Sequence, residues 1–387
     1  MKQQSFTHVI IYEFLPPSDG GIAQMAWGIV NEFHRRGLRV ALCGFSDLLK
    51  DPMYRDVRFP LFGLPRSGWK HFKDIYCFVC AIKLFTRFGR QVVLYSLTWK
   101  TGRVFAALAR PLGWKLVLFA VGNEVTRQIG GKKEPLMRRT FAAADVIIAL
   151  SNYTASRLRP LGVSDAFVNN PGIDPSRFFP MDAGASKKKF GWEGKQIILT
   201  AARVVARKGQ DTVLRAFAST ASAFPECRYV IAGGGDSAEI VRLRNIAEEN
   251  NVADRVIFTG YVQEVDKVAL YNACDVYVMV SRHEQGEKDI EGFGITFLEA
   301  GGCGKPVIGG RSGGIPDAIE HGESGFLVDP DDVGAVADHL KLLLADPALR
   351  QRMGLAGRAR VERFFTWERY VDRMLAHLSE RGIIRSS

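Results

Sequence analysis

The chain has 387 residues, 47% of them hydrophobic and 24% charged, a composition that supports two sizeable cores and excludes disorder. No run nears the roughly 18 consecutive apolar residues of a membrane span, and the start, MKQQSFTHVI, lacks the apolar segment and cleavage pattern of a signal peptide, so a cytoplasmic location is expected. The formal charge of +11 is uneven: residues 1–170 hold 24 Lys and Arg against 11 Asp and Glu, and the remainder 28 against 30. An anionic partner, whether nucleic acid, membrane surface or phosphorylated substrate, is therefore directed to the first half.

The opening HVIIYEF (His8 to Phe14) reads as a buried strand, followed by a loop, LPPSDGG, and an amphipathic helix from Ile22 to about Arg36. LRVALCGF, VVLYSL (Val92 to Leu97), KLVLFAV (Lys115 to Val121) and DVIIAL (Asp145 to Leu150) are further short apolar strands between helices. That alternation predicts a doubly wound parallel sheet of the Rossmann-like kind. Between Gly68 and Arg90, Phe72, Ile75, Tyr76, Val79, Ile82, Phe85 and Phe88 recur at helical spacing among Lys73, Lys83, Arg87 and Arg90. This basic amphipathic helix suits an anionic membrane surface and, equally, a core-facing Rossmann helix. GGKKEPLMRR (Gly130 to Arg139) is a second basic cluster, usable for phosphate or membrane or simply solvated.

A polar, Pro- and Gly-punctuated stretch from Asn169 to Gly194 interrupts the pattern, and the strand-helix alternation restarts at QIILTAA (Gln196 to Ala202). RYVIAGG, RVIFTG, DVYVMV, KPVIGG and GFLV continue it, so a second doubly wound domain is expected, with a cleft between the two. The expected organisation is an N-terminal domain over 1–175 and a second domain over 176–365. A terminal amphipathic helix is expected in 366–387. The six cysteines fit reduced thiols; the lone pair Cys77 and Cys80 has no second pair to complete a zinc site.

Ligands of such sheets bind beyond the carboxyl ends of the strands. After QIILTAA comes RVVARKGQD, which sets Arg203 and Lys208 five residues apart ahead of a helix, two cations able to converge on one dianion such as a diphosphate leaving group. After DVYVMV comes SRHEQGEKDIEGFGITFLEA, where Glu291 and Glu299 enclose Gly292 and Gly294. A helix beginning near Gly294 would aim free N–H groups at a phosphate or sugar, place Glu299 to accept two ribose hydroxyls, and leave Glu291 in the preceding loop for hydroxyls of the transferred sugar. Gly20 and Gly21, after the first strand, would admit close backbone contact with phosphate or donor sugar. Of the seven histidines only His283 lies in one of these loops, as an indirect or acceptor contact.

Together SDGGIAQ, SNYT at Ser151, NNPGIDPSRFFP at Asn169, AARVVARKGQDTVLRAF at Ala201, VIAGGGDS at Val230, VIFTGYV at Val256 and EGFGITFLEAGGCGKPVIGGRSGGIPDAIEHGESGFLVDPDD from Glu291 resemble the glycosyltransferase family 4 enzymes of GT-B fold. KDIEGFGITFLEA is most like the phosphatidylinositol mannosyltransferases and polysaccharide-assembly transferases. The resemblance implies that Arg203 and Lys208 bind the donor diphosphate, Glu299 the ribose, Glu291 the donor sugar, and Phe293, Gly294 and Ile295 the phosphate and sugar through their backbone. It places Gly260, Tyr261 and Val262 near the base, makes 1–175 the acceptor-binding and 176–365 the donor-binding domain, and takes the helix in 366–387 back to the first domain. It also implies retention of anomeric configuration, no metal and no cofactor beyond the nucleotide-diphosphate sugar, and a glycan or lipid-linked acceptor in envelope polysaccharide, lipopolysaccharide or glycolipid synthesis, with the enzyme on the inner face of the membrane. One departure stands out. Where many relatives have His-Gly-x-Glu, this chain has Val121-Gly122-Asn123-Glu124, which makes Asn123 or Glu124 the candidate sugar contact. Another GT-B enzyme, an epimerase or phosphorylase, and a non-catalytic basic binding protein are the alternative readings; no recognition motif favours nucleic acid.

Overall fold

The computed structural model describes residues 6–18, 20–283 and 289–385. Two compact units result, one of residues up to Gly172 together with those from Trp367 onward, the other of Ile173–Thr366.

The first unit is built on a seven-stranded parallel sheet of order β3-β2-β1-β4-β5-β6-β7, comprising β1 (Thr7–Ile11), β2 (Val40–Phe45), β3 (Leu61–Leu64), β4 (Val92–Ser96), β5 (Lys115–Ala120), β6 (Val146–Ala149) and β7 (Phe167–Val168). Its inner strands are covered on both faces, which is why they read as apolar runs and not as alternations. Val9 and Ile11 pack with Cys43 and Leu94 on one side, while Ile10 packs with Leu42, Val93 and Tyr95 on the other. His8 is the polar exception. Burial pushes its imidazole down to about 4, and the neutral ring sits with Nδ1 2.7 Å from the Tyr95 hydroxyl. The expected strand over His8 to Phe14 ends early, so Glu13 stands in the loop beyond β1. The edge strands β3 and β7 lack a clear sequence signal because each is only four residues or fewer, at the short end of what edges carry.

The helix Gly21–Arg35 buries Ala26, Ile29, Val30 and Phe33, the i, i+3, i+4, i+7 set of one face. The last helix, Trp367–Glu380, buries Tyr370, Val371, Met374 and Leu378 in the same core layer. It is tied down by Asn169, whose amide donates to the Tyr370 carbonyl (3.1 Å) and accepts from Arg373 Nε (2.9 Å). The helix Trp69–Phe88 departs from the single stripe that the periodicity suggests. Its core face is Cys77, Cys80, Ala81 and Leu84, with Tyr76, Phe85 and Phe88 partly buried, whereas Phe72, Ile75, Phe78, Val79 and Ile82 are 43–57% exposed. Apolar residues occupy two faces of this helix, and spacing alone cannot tell which one meets the sheet.

The second unit holds a six-stranded parallel sheet of order β10-β9-β8-β11-β12-β13, formed by β8 (Gln196–Ala201), β9 (Cys227–Ala232), β10 (Val256–Gly260), β11 (Val276–Met279), β12 (Val307–Gly310) and β13 (Gly325–Val328). Chain direction across the sheet reverses at β8 and β11, the topological switch point where doubly wound sheets bind ligands. The loops following these two strands carry most of the predicted site.

Candidate functional site

Beyond β8 the chain turns through Arg203, Val204 and Val205 into a single helical turn, Ala206–Lys208. Gln210 fixes this turn by donating to the Arg203 carbonyl at 3.0 Å. Gly209 closes it at φ 71°, and a Cβ there would lie 2.2 Å from the Val280 carbonyl oxygen. The loop after β8 can therefore lie flush against the end of β11 only with glycine at 209. A backbone bond from Arg282 N to the Arg207 carbonyl (2.8 Å) joins the two loops.

At this junction four charged side chains meet, each largely removed from water. Lys208 Nζ is 2.5 Å from Glu291 Oε2 and 3.5 Å from Met279 Sδ. Arg207 Nη1 donates to the same carboxylate oxygen at 2.9 Å, and Arg207 Nε lies 3.3 Å from Asp289 Oδ1. Burial alone would raise the Glu291 carboxyl, but Lys208 and Arg207 overturn that and hold it down at about 2. Glu291 is thus fully ionised at neutral pH. Lys208 is the less comfortable partner: burial lowers its pKa, Glu291 pushes it back up, and Arg207 and Arg203 lower it again. Arg203 itself is exposed. The second cation expected for a diphosphate therefore stands in solvent, within electrostatic reach of Lys208.

The loop after β12 closes around Glu291. Gly314 N donates to the Glu291 carbonyl at 2.9 Å, and Gly313, at φ 56°, has no room for a side chain because a Cβ would come within 2.3 Å of that carbonyl oxygen. His283 Nε2 accepts from Gly313 N at 3.0 Å, so the one histidine in these loops braces the backbone around Glu291. Residues 284–288, part of the predicted site loop, lie outside the described residues. The hydroxyls of Ser281 and Ser312 and Gln210 Oε1, all deeply buried, have no hydrogen-bond partner among the described residues.

Gly292, Phe293 and Gly294 lead from Glu291 into the helix Ile295–Gly302, with Gly294 as its N-cap at φ 92°. The expected helix start near Gly294 is where the helix begins. Glu299, inside it, is buried and accepts from the Tyr271 hydroxyl at 2.6 Å. Burial raises its pKa, opposed by Lys267, Tyr271 and Arg177 and reinforced by Glu264. Burial keeps the Tyr277 hydroxyl protonated, opposed by Thr296 and reinforced by Glu299 and Glu291. Gly260 ends β10, and Tyr261 and Val262 follow it. The Gly260 carbonyl accepts from Gly233 N at 2.8 Å, and the Tyr261 side chain is about half exposed.

In the first unit, Gly20 and Gly21 stand at the start of the helix Gly21–Arg35 after β1, as the sequence places them. Val121 is buried in the core and Asn123 opens a single helical turn, Asn123–Thr126. Glu124 folds back, one carboxylate oxygen accepting from Val121 N at 2.8 Å. Burial raises its pKa to about 7, so this candidate sugar contact is already engaged in capping its own turn. At the switch between β1 and β4 sits a polar cluster that spacing does not reveal. Buried Glu13 accepts from Lys73 Nζ at 2.9 Å and from the Thr101 hydroxyl, and Lys73 also reaches Thr101 at 3.1 Å. Arg207, Asp289 and Tyr271 are likewise absent from the sequence reading. The signal for Arg207 is only its adjacency to Lys208.

Models of the "Glycosyl transferases group 1" and "Glycosyl transferase 4-like domain" families match residues 182–360 and 20–169. A GDP-mannose-dependent alpha-(1-6)-phosphatidylinositol monomannoside mannosyltransferase of Mycolicibacterium smegmatis is 34% identical over 285 residues, 72% of this chain and 74% of the relative. A D-inositol 3-phosphate glycosyltransferase of Mycolicibacterium vanbaalenii is 31% identical over 314 residues, 74% of this chain and 66% of the relative. Among solved structures, the Anabaena protein HepE in complex with UDP and glucose superposes with a TM-score of 0.79 at 18% identity, over 97% of this chain and all of the other, a likeness of fold.

Proposed function

The chain belongs to the group 1, family 4-like glycosyltransferases of GT-B fold, and from that premise we propose a retaining, metal-independent transfer of a hexose from a nucleotide-diphosphate sugar to a lipid-linked or glycan acceptor. GDP-mannose is the donor to try first, since relatives at 34% and 35% identity are so named. One observation carries the reading: the buried Lys208, Arg207 and Glu291 cluster at the switch point of the second sheet. Cations placed where a diphosphate leaves can neutralise the charge that grows as the sugar bond breaks. Lys208 and the nearby Arg203 take that role. Glu291, ionised and fixed, accepts hydroxyls of the sugar, and Glu299, lifted by burial and bound by Tyr271, receives the ribose. Backbone groups from Gly292 to Ile295 border the phosphate and sugar, Gly260 to Val262 the base. In the first unit, Gly20 and Gly21 are the candidates for contact with the donor, and Asn123 and Glu124 for contact with a sugar.

No helix among the described residues is long and apolar enough to cross a membrane. The exposed face of the helix Trp69–Phe88 suits peripheral attachment: five large apolar side chains lie beside Lys70, Lys83 and Arg87, and the segment 66–90 holds six Lys and Arg against one acid, Asp74, itself bound by Arg103. Apolar area plus cations is what an anionic lipid surface binds.

The test is a panel of GDP-, UDP- and ADP-sugars with EDTA present, the released or transferred sugar read by proton NMR. Turnover of at least one donor with the α configuration kept supports the proposal; inversion, or loss of turnover to EDTA, refutes it. Sedimentation with anionic vesicles, with and without Phe78→Glu and Ile82→Glu, tests attachment separately. Equal binding by parent and variant contradicts it.

A further inference from the structure

Lys208 presents a difficulty for its own role. Its ammonium is already paired with Glu291 at 2.5 Å, so a diphosphate must compete with that carboxylate for Lys208. A buried carboxylate deserted by its partner is costly, since breaking such a pair typically exacts several-fold more than its net worth. Something must hold Glu291 while Lys208 is engaged elsewhere.

We propose that Arg207 is a positioning residue that keeps Glu291 ionised and in place while Lys208 exchanges the carboxylate for the donor diphosphate. The inference rests on the diphosphate reading of Lys208 given above. Its support is the asymmetry of the two cations. Arg207 is held at three points: Nη1 on Glu291 (2.9 Å), Nε near Asp289 (3.3 Å), and its carbonyl bound by Arg282 N (2.8 Å). A planar guanidinium bridging two carboxylates two residues apart on one loop fixes that loop's shape as well as its charge. Lys208 has one acid, the softer Met279 sulfur, and a flexible stem. Arg207 and Arg203 both repel it. The cation that can leave is Lys208, and the one that stays is Arg207. Both share the same oxygen, Glu291 Oε2, so departure of one leaves the other's hydrogen bond intact.

The consequence is that Arg207 governs donor affinity without touching the donor. With Arg207 replaced by Gln, Lys208 becomes the main counter-charge of Glu291, and the diphosphate must strip it away. Removing the carboxylate as well, in Arg207→Gln/Glu291→Gln, removes the competitor and frees Lys208 again. Titration calorimetry with GDP and with UDP on the full chain, with thermal melts to check folding, reads this directly. Arg207→Gln is expected to weaken the nucleoside diphosphate that the parent binds by at least tenfold. Arg207→Lys, which keeps charge and loses the bridge, should fall between the two. The double variant should return to within about threefold of the parent. A residue that merely supported folding would not be rescued by a second loss of charge. Arg207→Gln binding as tightly as the parent, or the double variant binding no better than the single one, overturns the inference. A parent that binds neither nucleotide overturns the donor reading and this inference together.

Discussion

Substituting Glu291 by Gln keeps the shape and removes the charge on which Lys208 and Arg207 converge. The carboxyl is held from its ordinary 4.5 down to about 2, a displacement equivalent to about 3 kcal/mol of folding stability. The sign follows from the direction. A depressed carboxyl stabilises the fold above its unfolded pKa, and the contribution is lost as pH falls through the folded one. At pH 7 the parent should therefore exceed Glu291→Gln by about 3 kcal/mol. Near pH 3 about two-thirds of that margin should be gone, because the unfolded chain binds the proton and the folded one still resists it. Urea unfolding at pH 7, 5 and 3, followed by the fluorescence of Trp192 in the second unit, with the other Trp residues replaced by Phe, measures the difference between the two proteins at each pH. A margin that stays constant from pH 7 to 3 refutes the reasoning, since it would mean that ionisation of Glu291 contributes nothing to the difference.

Two further outcomes are expected. Burial lifts Glu124 to about 7, so its contribution to stability is present below about 4.5 and is lost as pH rises through 7; Glu124→Gln should flatten the decline in stability between pH 5 and 8, measured by thermal melts across that range. Gly313→Ala places a methyl about 2.3 Å from the Glu291 carbonyl oxygen in a left-handed backbone, at a cost of roughly 1–3 kcal/mol. Because the strain falls on Glu291, the KM for the donor should rise along with the loss of melting temperature, and steady-state kinetics will read it.

The parts of this molecule that were legible in its sequence are those whose signal is local. Strands such as VVLYS and KLVLFA announce themselves because burial on both faces demands an apolar residue at every position. Arg203, Lys208, Glu291, Gly294 and Glu299 could be singled out because strand ends and glycines mark where loops reach a ligand. The rest depends on tertiary placement. Nothing in RVVARKGQD says that Arg207 turns inward to bridge Asp289 and Glu291 while Arg203 remains in solvent. Glu13 reads as the end of a strand, yet it is a buried acid held by Lys73 and Thr101 from two other helices. The helix Trp69–Phe88 shows the limit most clearly. Its period is correct, but which apolar face is covered depends on small residues, Cys77, Cys80 and Ala81, allowing close approach to the sheet.

The central claim is that the activated sugar's diphosphate is met by Lys208, and it is tested most directly by titrating GDP and UDP into the parent and into Lys208→Ala. The account predicts that the better nucleotide loses at least tenfold in affinity, the scale of one charge-assisted contact to phosphate, roughly 1.5–3 kcal/mol, while the corresponding free nucleoside binds both proteins equally. Undiminished nucleotide binding by Lys208→Ala would contradict it.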